Sequence, residues 1–228
     1  YTEEKISTFA VKDLQGSDQH FDPLHLSVIR SGKSSGNKSS SKSSAKSSGI
    51  DKGQASQAEV VDLPSFPGIA DEAFISNAEP GKGMLTKREV RLALLSMMQA
   101  NNADVIWDIG AGCGSVAIEL AYWNKFVQVH AIEHHDERID CLQQNCERFG
   151  VMSQLNVVHG SAPECLSGLP APSKIFIGGS DGRLPELLQL AWEKLPEDGL
   201  LVASAVTENT KQHVMHFMQD RDAAQDSE

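Results

Sequence analysis

The chain has no run of about eighteen apolar residues, so no stretch of it could cross a bilayer as a helix. Nor does it open on the charged, apolar and small-residue pattern of a secretory leader, which makes a cytoplasmic setting the default expectation. Cysteine is scarce. Cys113, Cys141, Cys146 and Cys165 form no CxxC pair and no metal-type spacing with histidine, which argues against both a disulfide framework and a zinc site. Positive charge is also thin, with 20 Lys and Arg against 31 Asp and Glu and a net charge of −11. Five lysines and one aspartate between residues 31 and 58 contribute +4, leaving −15 for the rest. Binding to phosphate backbones rests on clustered Lys and Arg, so a nucleic-acid partner is not expected.

What is present suits a globular protein: 228 residues, 40% hydrophobic, enough for one domain with a sizeable core. The first residue is Tyr1, and the opening run reads as the end of a module, so the chain is expected to be a piece of a longer product. In "HFDPLHLSVIR" Leu24, Leu26 and Val28 alternate as in a lone strand, which cannot be a domain alone. The stretch from Ser31 reads "SGKSSGNKSSSKSSAKSSGIDKGQASQA" and is nearly free of large apolar side chains. It cannot bury enough surface to offset the entropy of ordering, so residues 31–60 are expected to form a flexible linker. The following "LPSFPGIADEAFI" is rich in turn formers and is expected to drape over the next domain as an irregular arm.

From Thr86 the pattern becomes regular. "TKREVRLALLSMM" sets Thr86 and Glu89 in capping-box spacing, with Val90, Leu94, Met97 and Met98 on one helical face. "VIWDIG", "VQVHAIE", "LNVVHG", "KIFIGG" and "LLVASAV" read as five strands. Helical segments alternate with them, among them "DERIDCLQQNCERF", which puts Ile139, Leu142, Cys146 and Phe149 on one face and stops at Gly150. This alternation specifies an α/β fold: an open, mostly parallel, doubly wound sheet with helices on both faces. Ligands of such sheets sit at the carboxyl ends of the strands, where the halves wind apart.

In "VIWDIGAGCGS" Gly110, Gly112 and Gly114 stand directly after a strand and directly before a helix, where the main chain must turn tightly and let a ligand approach. A dinucleotide fingerprint would want its third glycine at position 115, which is Ser115. Glu133 ends the second strand, where a carboxylate can accept the hydroxyls of a ribose. His130, His134 and His135 cluster near it, but a strand end followed by a polar helix start gives the same letters, so no metal site is assigned.

GxGxG after a strand that carries Asp108 resembles motif I of the class I S-adenosylmethionine-dependent methyltransferases. Members of that fold that methylate exocyclic amines usually carry an Asn/Asp-Pro-Pro-aromatic stretch after strand four, where this chain has "FIGGSDG". "GMLTKREVR", "WDIGAGCGSVAIE", "GSAPE" and "FIGGS" together resemble the carboxy-terminal domain of the decarboxylating precorrin-6Y methyltransferases of cobalamin biosynthesis. "FAVKDLQGSDQHFDPLHLSVI" is similar to the end of the tetrapyrrole methylase module that precedes this domain in the fused enzymes. The resemblance implies residues 1–30 as that tail and residues 61–228 as the methyltransferase domain. A full class I sheet usually has seven strands, so the five counted here would leave an open edge and a route to a homo-oligomer.

The resemblance implies S-adenosylmethionine as cofactor and a small tetrapyrrole as substrate. Thr86 would lie against the cofactor, and Gly110, Ala111, Gly112, Cys113 and Gly114 would cradle it. Glu133 would hold its ribose, with Ser161 and Ala162 by the adenine. Ser161 stands where the family commonly has Asp, and Lys174 where it tends to have an acid. A substrate with many carboxylates calls for Arg and Lys, and Lys82, Lys87, Arg88, Arg91 and Arg183, with the turn Gly178, Gly179 and Ser180, are the candidates. Solvated surface cations are the competing explanation for each. Two other readings of the fold are a methyltransferase acting on RNA or protein and a module that has lost the cofactor. The acidic balance argues against the first, the intact glycines and Glu133 against the second.

Overall fold

The computed structural model describes residues 26–30, 65–76 and 85–225. The expected linker and Lys82 lie outside the described residues. In chain order the elements are β1 (Leu26–Arg30), α1 (Arg88–Met98), β2 (Val105–Ile109), α2 (Ser115–Trp123), β3 (Gln128–Glu133), α3 (Asp136–Arg148), β4 (Leu155–His159), β5 (Lys174–Ile177), α4 (Leu184–Lys194), β6 (Leu200–Ser204) and α5 (Glu208–Gln225). They build one sheet in the order β1-β6-β5-β2-β3-β4. Strands β2 to β6 are mutually parallel, as the alternation of strands and helices predicts.

Strand β1 pairs antiparallel with β6, from Leu26 opposite Ser204 to Arg30 opposite Leu200. The edge expected to stand open beyond β6 is therefore covered by this segment, which the sequence alone shows only as a lone strand. That removes the stated reason for association through that edge.

Period-two alternation divides the core. Ile106 faces a layer holding Leu94 and Met98 of α1, Val116 to Ala121 of α2, and Ile139, Leu142 and Cys146 of α3. Trp107 and Ile109 face the opposite layer, with Leu184, Leu187 and Leu188 of α4 and Val214 and Phe217 of α5. Both faces are covered, so β2 is apolar along nearly its whole length, the usual composition of a central parallel strand. Helix α2 is buried from Ser115 to Ala121, which explains why it shows no polar face. Helix α3 ends as its sequence predicts, with Gly150 at φ 66° and the Val151 N–H returning 3.0 Å to the Cys146 carbonyl.

The capping box at Thr86 does not form. Helix α1 starts at Arg88 with no side-chain cap. Thr86 instead uses its N–H on Ser115 Oγ at 3.2 Å and its carbonyl on the Arg91 guanidinium. A tertiary partner on each side of the peptide outcompetes the local motif.

The arm is held by side chains of the domain. The Gly68 and Ile69 N–H groups donate to Glu119 at 2.8 and 3.1 Å, and Asn145 both accepts from and donates to the Ile75 backbone, at 2.7 and 2.9 Å. A second Asn145 N–H reaches the Cys113 carbonyl at 3.0 Å, tying the arm to the glycine loop. Lys174, at the base of β5, meets Asp104 at 2.7 Å and the Gln99 carbonyl, so its charge is accounted for at the far end of the sheet from the glycines.

Candidate active site

The sheet reverses its winding between β2 and β5, because the chain runs outward through β3 and β4 and then returns to the other side of β2. A cleft opens there, at the carboxyl ends of the strands. Gly110, Glu133, Ser161 and Ala162 line it from one side and Gly179 and Ser180 from the other, with Arg183 at the rim. These residues come from four separate loops. His134, Asp181 and Leu187 also line it, and the sequence reading did not assign them to the site.

The glycines serve two purposes. Gly110, Gly112 and Gly114 have φ of 75°, 60° and 85°, the left-handed region that favours glycine. Gly110 also touches the facing loop: a Cβ there would lie 2.5 Å from the Gly179 oxygen. Gly114 packs against Leu142 in the same way. The Gly110 and Ala111 N–H groups both donate to the Ile132 carbonyl at 2.9 Å, and the Gly178 N–H donates to the Ile109 carbonyl at 2.8 Å. The loops after β2 and β5 are thus locked to the strand ends before any ligand enters.

Glu133 is 2% exposed and is oriented entirely by its surroundings. Its Oε2 accepts the Gly112 N–H at 3.0 Å, and its Oε1 accepts the His134 and His135 N–H groups at 2.9 and 3.0 Å. The His135 ring adds Nδ1 at 3.0 Å from Oε1, and Arg138 stands 3.7 Å from Oε2. Burial pushes the carboxyl up, but the His135 backbone and ring contacts, with the His134 and Gly112 N–H groups, hold it below its ordinary value. A carboxylate offers about four acceptor positions. Oε1 is already crowded, whereas Oε2 has the capacity for a ligand hydroxyl.

Asp108 presents the opposite case. It is buried beneath the glycine loop, and neither oxygen has a hydrogen-bond partner. Burial pushes its carboxyl up to about 7; the Ala117 N–H at the start of α2 offsets part of this without completing a hydrogen bond, and the Glu133 charge adds to it. Glu133, kept ionised by its hydrogen-bond donors, sets up a field that favours a cationic ligand.

The other expected residues divide. Thr86 sits at the first turn of α2 through Ser115, next to the loop. Cys113 is fully buried, and burial pushes its thiol up to about 11, so it contributes packing and no reactivity. Lys87 and Arg88 are exposed at the start of α1, Lys87 lying 3.6 Å from Asp71.

Arg91 is a correction. It is completely buried and binds Glu119 at 2.9 Å, Asp71 at 2.7 Å and the Thr86 and Ile69 carbonyls, so it has no donor to offer a substrate. Arg183 lies at the cleft but is engaged by Glu164 at 2.8 and 2.9 Å and by Glu186 at 2.9 Å. These contacts, Glu164 first, raise its already high pKa. It therefore joins the Ser161 loop to the start of α4 and is not a free cation. His130 leaves the histidine group altogether: it is 8% exposed in mid-β3, 3.3 Å from Asn156, and burial lowers its pKa.

Residues 79–224 match the sequence profile of the precorrin methyltransferase domain, well over half the chain. The chain belongs to the precorrin methyltransferase family. It is 37% identical over 143 residues to a probable cobalt-precorrin-6B C(15)-methyltransferase (decarboxylating) of Pyrobaculum calidifontis, covering 62% of this chain and 71% of that protein. It is 43% identical over 145 residues to a Sinorhizobium precorrin-6Y C(5,15)-methyltransferase (decarboxylating), covering 64% of this chain but only 33% of that protein. Among solved structures, the precorrin-6Y C5,15-methyltransferase of Geobacter metallireducens superposes with a TM-score of 0.63 at 34% identity, covering 67% of this chain and 79% of that one. Gly110 of the glycine loop and Gly179 and Ser180 of the turn after β5, both within the matched region, face one another across the cleft. Among the described residues no helix is long and apolar enough to cross a membrane.

Proposed function

We propose that this precorrin methyltransferase domain holds S-adenosylmethionine between the glycine loop and the Gly179–Ser180 turn, and methylates a carbon of a precorrin with loss of carbon dioxide from a ring acetate, as a step of cobalamin biosynthesis. The observation that carries this reading is the cleft itself, which gathers Gly110, Glu133, Ser161 and Ala162 opposite Gly179 and Ser180. When bound, the cofactor supplies an electrophilic methyl group on a cationic sulfur. The chain supplies position. Glu133 Oε2 would accept a ribose hydroxyl, while Oε1 is taken up by the His134 and His135 N–H groups. The backbone of Gly110 to Gly114 lies beneath the cofactor, and Ser161 offers a hydroxyl to the adenine edge in place of the family's usual carboxylate.

Methyl transfer to an electron-rich carbon needs in-line placement more than a strong base, so the rate gain comes chiefly from positioning. The conjugated macrocycle itself takes up the electron pair as the acetate loses carbon dioxide. Among the described residues, Lys87 and Arg88, exposed at the head of α1, are the candidate cations left to meet the substrate's carboxylates once Arg91 and the ion-paired Arg183 are removed from the set.

We read residues 1–30 as the tail of a preceding tetrapyrrole methylase module, residues 31–60 as a linker, the setting as cytoplasmic and nucleic acid as no partner. The one-third coverage of the Sinorhizobium protein supports the first of these, and the acidic balance the last.

The test is calorimetry with S-adenosylhomocysteine. Wild-type protein is expected to bind it, and Glu133→Gln to weaken binding by about one to two orders of magnitude, since charge-assisted hydrogen bonds contribute about 1.5–3 kcal/mol each and 1.4 kcal/mol is tenfold. Absence of binding by folded wild-type protein would overturn the cofactor reading.

A further inference from the structure

Asn145 is fully buried on α3, and its amide is used in three directions. Its Oδ1 accepts the Ile75 N–H at 2.7 Å, and its Nδ2 donates to the Ile75 carbonyl at 2.9 Å and to the Cys113 carbonyl at 3.0 Å. Only one orientation of the amide satisfies all three, because the reverse sets N–H against N–H and oxygen against two carbonyls. The arm and the glycine loop thus share one side chain, which stands 70 residues from Ile75 and 32 from Cys113 in the sequence.

The loop depends on this contact. Gly110 and Ala111 are held by the Ile132 carbonyl, Gly112 by Glu133, and the Gly114 N–H by the Ala111 carbonyl at 2.9 Å. Those contacts come from the loop itself and from β3, and Asn145 adds the hold from α3. The peptide it grips joins Cys113 to Gly114, and Gly114, at φ 85°, has no side chain of its own to keep it in place. A buried carbonyl is costly to leave without a donor, so loss of the Asn145 amide favours rotation of this peptide. Asn145 depends in turn on the arm. The terminal torsion of an asparagine is broad and roughly two-fold, so its rotamer preference does not decide which way the amide faces. Ile75 decides it, and Ile75 is placed by its neighbour Phe74, a buried ring 4.9 Å between centroids from Phe149 at the end of α3.

We propose that Asn145 is a positioning residue for the glycine loop and that it couples docking of the arm to cofactor binding, so that each favours the other. The coupling of arm to loop rests on the hydrogen bonds alone; its extension to the cofactor rests on the reading that the loop holds S-adenosylmethionine. Asn145 does not line the cleft and acts only through the Cys113 carbonyl. By linkage, if the docked arm tightens ligand binding by some factor, the bound ligand favours the docked arm by the same factor.

Variants of the full chain separate the parts. Asn145→Leu removes the amide at similar volume. Phe74→Ala loosens the arm and leaves Asn145 and the loop residues unchanged. Leu155→Ala opens a cavity in the same core at the opposite end of the sheet and controls for lost stability alone. Without ligand, hydrogen exchange of the Gly112 and Gly114 amides is expected to quicken at least about fivefold in the first two variants, the low end of typical couplings, and to match wild type in Leu155→Ala. Unchanged exchange in Phe74→Ala, or an equal rise in Leu155→Ala, overturns the coupling of arm to loop. With S-adenosylhomocysteine, calorimetry should show affinity lower by about tenfold or more in Asn145→Leu, by about fivefold or more in Phe74→Ala, and unchanged in Leu155→Ala. Saturating ligand should slow exchange of the Gly68 and Ile69 amides in wild type by at least the factor that Phe74→Ala costs, and this slowing should be lost in Asn145→Leu. Unchanged affinity in Phe74→Ala, or no slowing at the arm, overturns the extension to the cofactor. A wild type that never binds S-adenosylhomocysteine, while its loop amides still respond to Phe74→Ala, upholds the coupling of arm to loop and removes the cofactor reading instead.

Discussion

Two buried charged groups on the same side of the sheet are treated in opposite ways. Beneath the arm, Arg91 and Glu119 are both fully buried, yet every part of them is used: Glu119 binds Arg91, the Gly68 and Ile69 N–H groups and Trp123, while Arg91 also reaches Asp71 and two carbonyls. Beneath the glycine loop, Asp108 is just as buried and has no partner, and its neighbour Glu133 keeps one oxygen only lightly engaged. The first arrangement holds the arm to the domain. The second leaves a buried carboxyl without a hydrogen-bond partner beneath the loop. The paired group ties two parts of the fold together, and the unpaired carboxyl lies under the cleft, where perturbed groups are candidates for a functional role.

The comparison can be broken most severely at Arg91. Arg91→Met leaves Glu119 buried without its counter-charge, and breaking a buried pair from one side typically costs about 3–5 kcal/mol. Urea unfolding should show that loss, while S-adenosylhomocysteine affinity of the folded fraction stays near wild type.

At the other site, Gly112→Val should remove ligand binding by more than about a hundredfold, or about 2.7 kcal/mol. A β-branched residue is strained at φ 60°, and moving this backbone also moves the N–H that orients Glu133. Calorimetry on the folded variant decides the point, and unchanged affinity would separate the loop from the cofactor.

Asp108→Asn sharpens the contrast because its sign is reversed. The native carboxyl is raised from 3.8 to about 7, so between those values the unfolded chain has lost a proton that the native state still holds. Stability attributable to this residue therefore falls as pH rises from about 4 to 7 and levels off above. The amide, which cannot ionise, should be more stable than wild type at pH 8 by on the order of 2–4 kcal/mol, at 1.36 kcal/mol per pKa unit, and close to equal at pH 4. Melting curves at the two pH values measure this. Equal shifts at both would show that Asp108 is ionised throughout.

The smallest effect is expected at Arg183. Its partners Glu164 and Glu186 are exposed, and solvent-exposed ion pairs contribute little because water and salt screen them. Arg183→Ala should leave the melting temperature unresolved from wild type at physiological salt. A large drop would mean that the pair ties the Ser161 loop to α4 more strongly than its exposure suggests.

Much of this was legible in the chain. Strand and helix periods gave β2 to β6 and the helices between them, because apolar spacing is a local record of which face will be covered. The glycine loop and Glu133 were legible for the same reason: a turn that requires positive φ and an acid at a strand end are written in adjacent letters. Thr86 and Arg91 were misread where the local pattern met a distant partner. Thr86 and Glu89 have capping-box spacing, but Ser115 and Arg91 take the Thr86 peptide. Arg91 sits in a run with Lys87 and Arg88, but of the three only Arg91 lies on the buried face of α1, with Leu94 and Met98, where it meets Glu119.

By itself, then, the sequence determined the parallel α/β sheet, the positive-φ glycine turn after its central strand and the precorrin methyltransferase family, since each is carried by residues close together in the chain. Only the tertiary structure decided which charges are paired, that β1 covers the β6 edge, that Arg91 is structural, and that His134 and His135 meet at Glu133 with Asp181 beside His134. The physical reason is distance along the chain. Glu133 and Asp181 reach one site from the ends of different strands, Glu119 meets Gly68 across 51 residues, and no local spacing encodes which surplus charge will find a partner once the chain is packed.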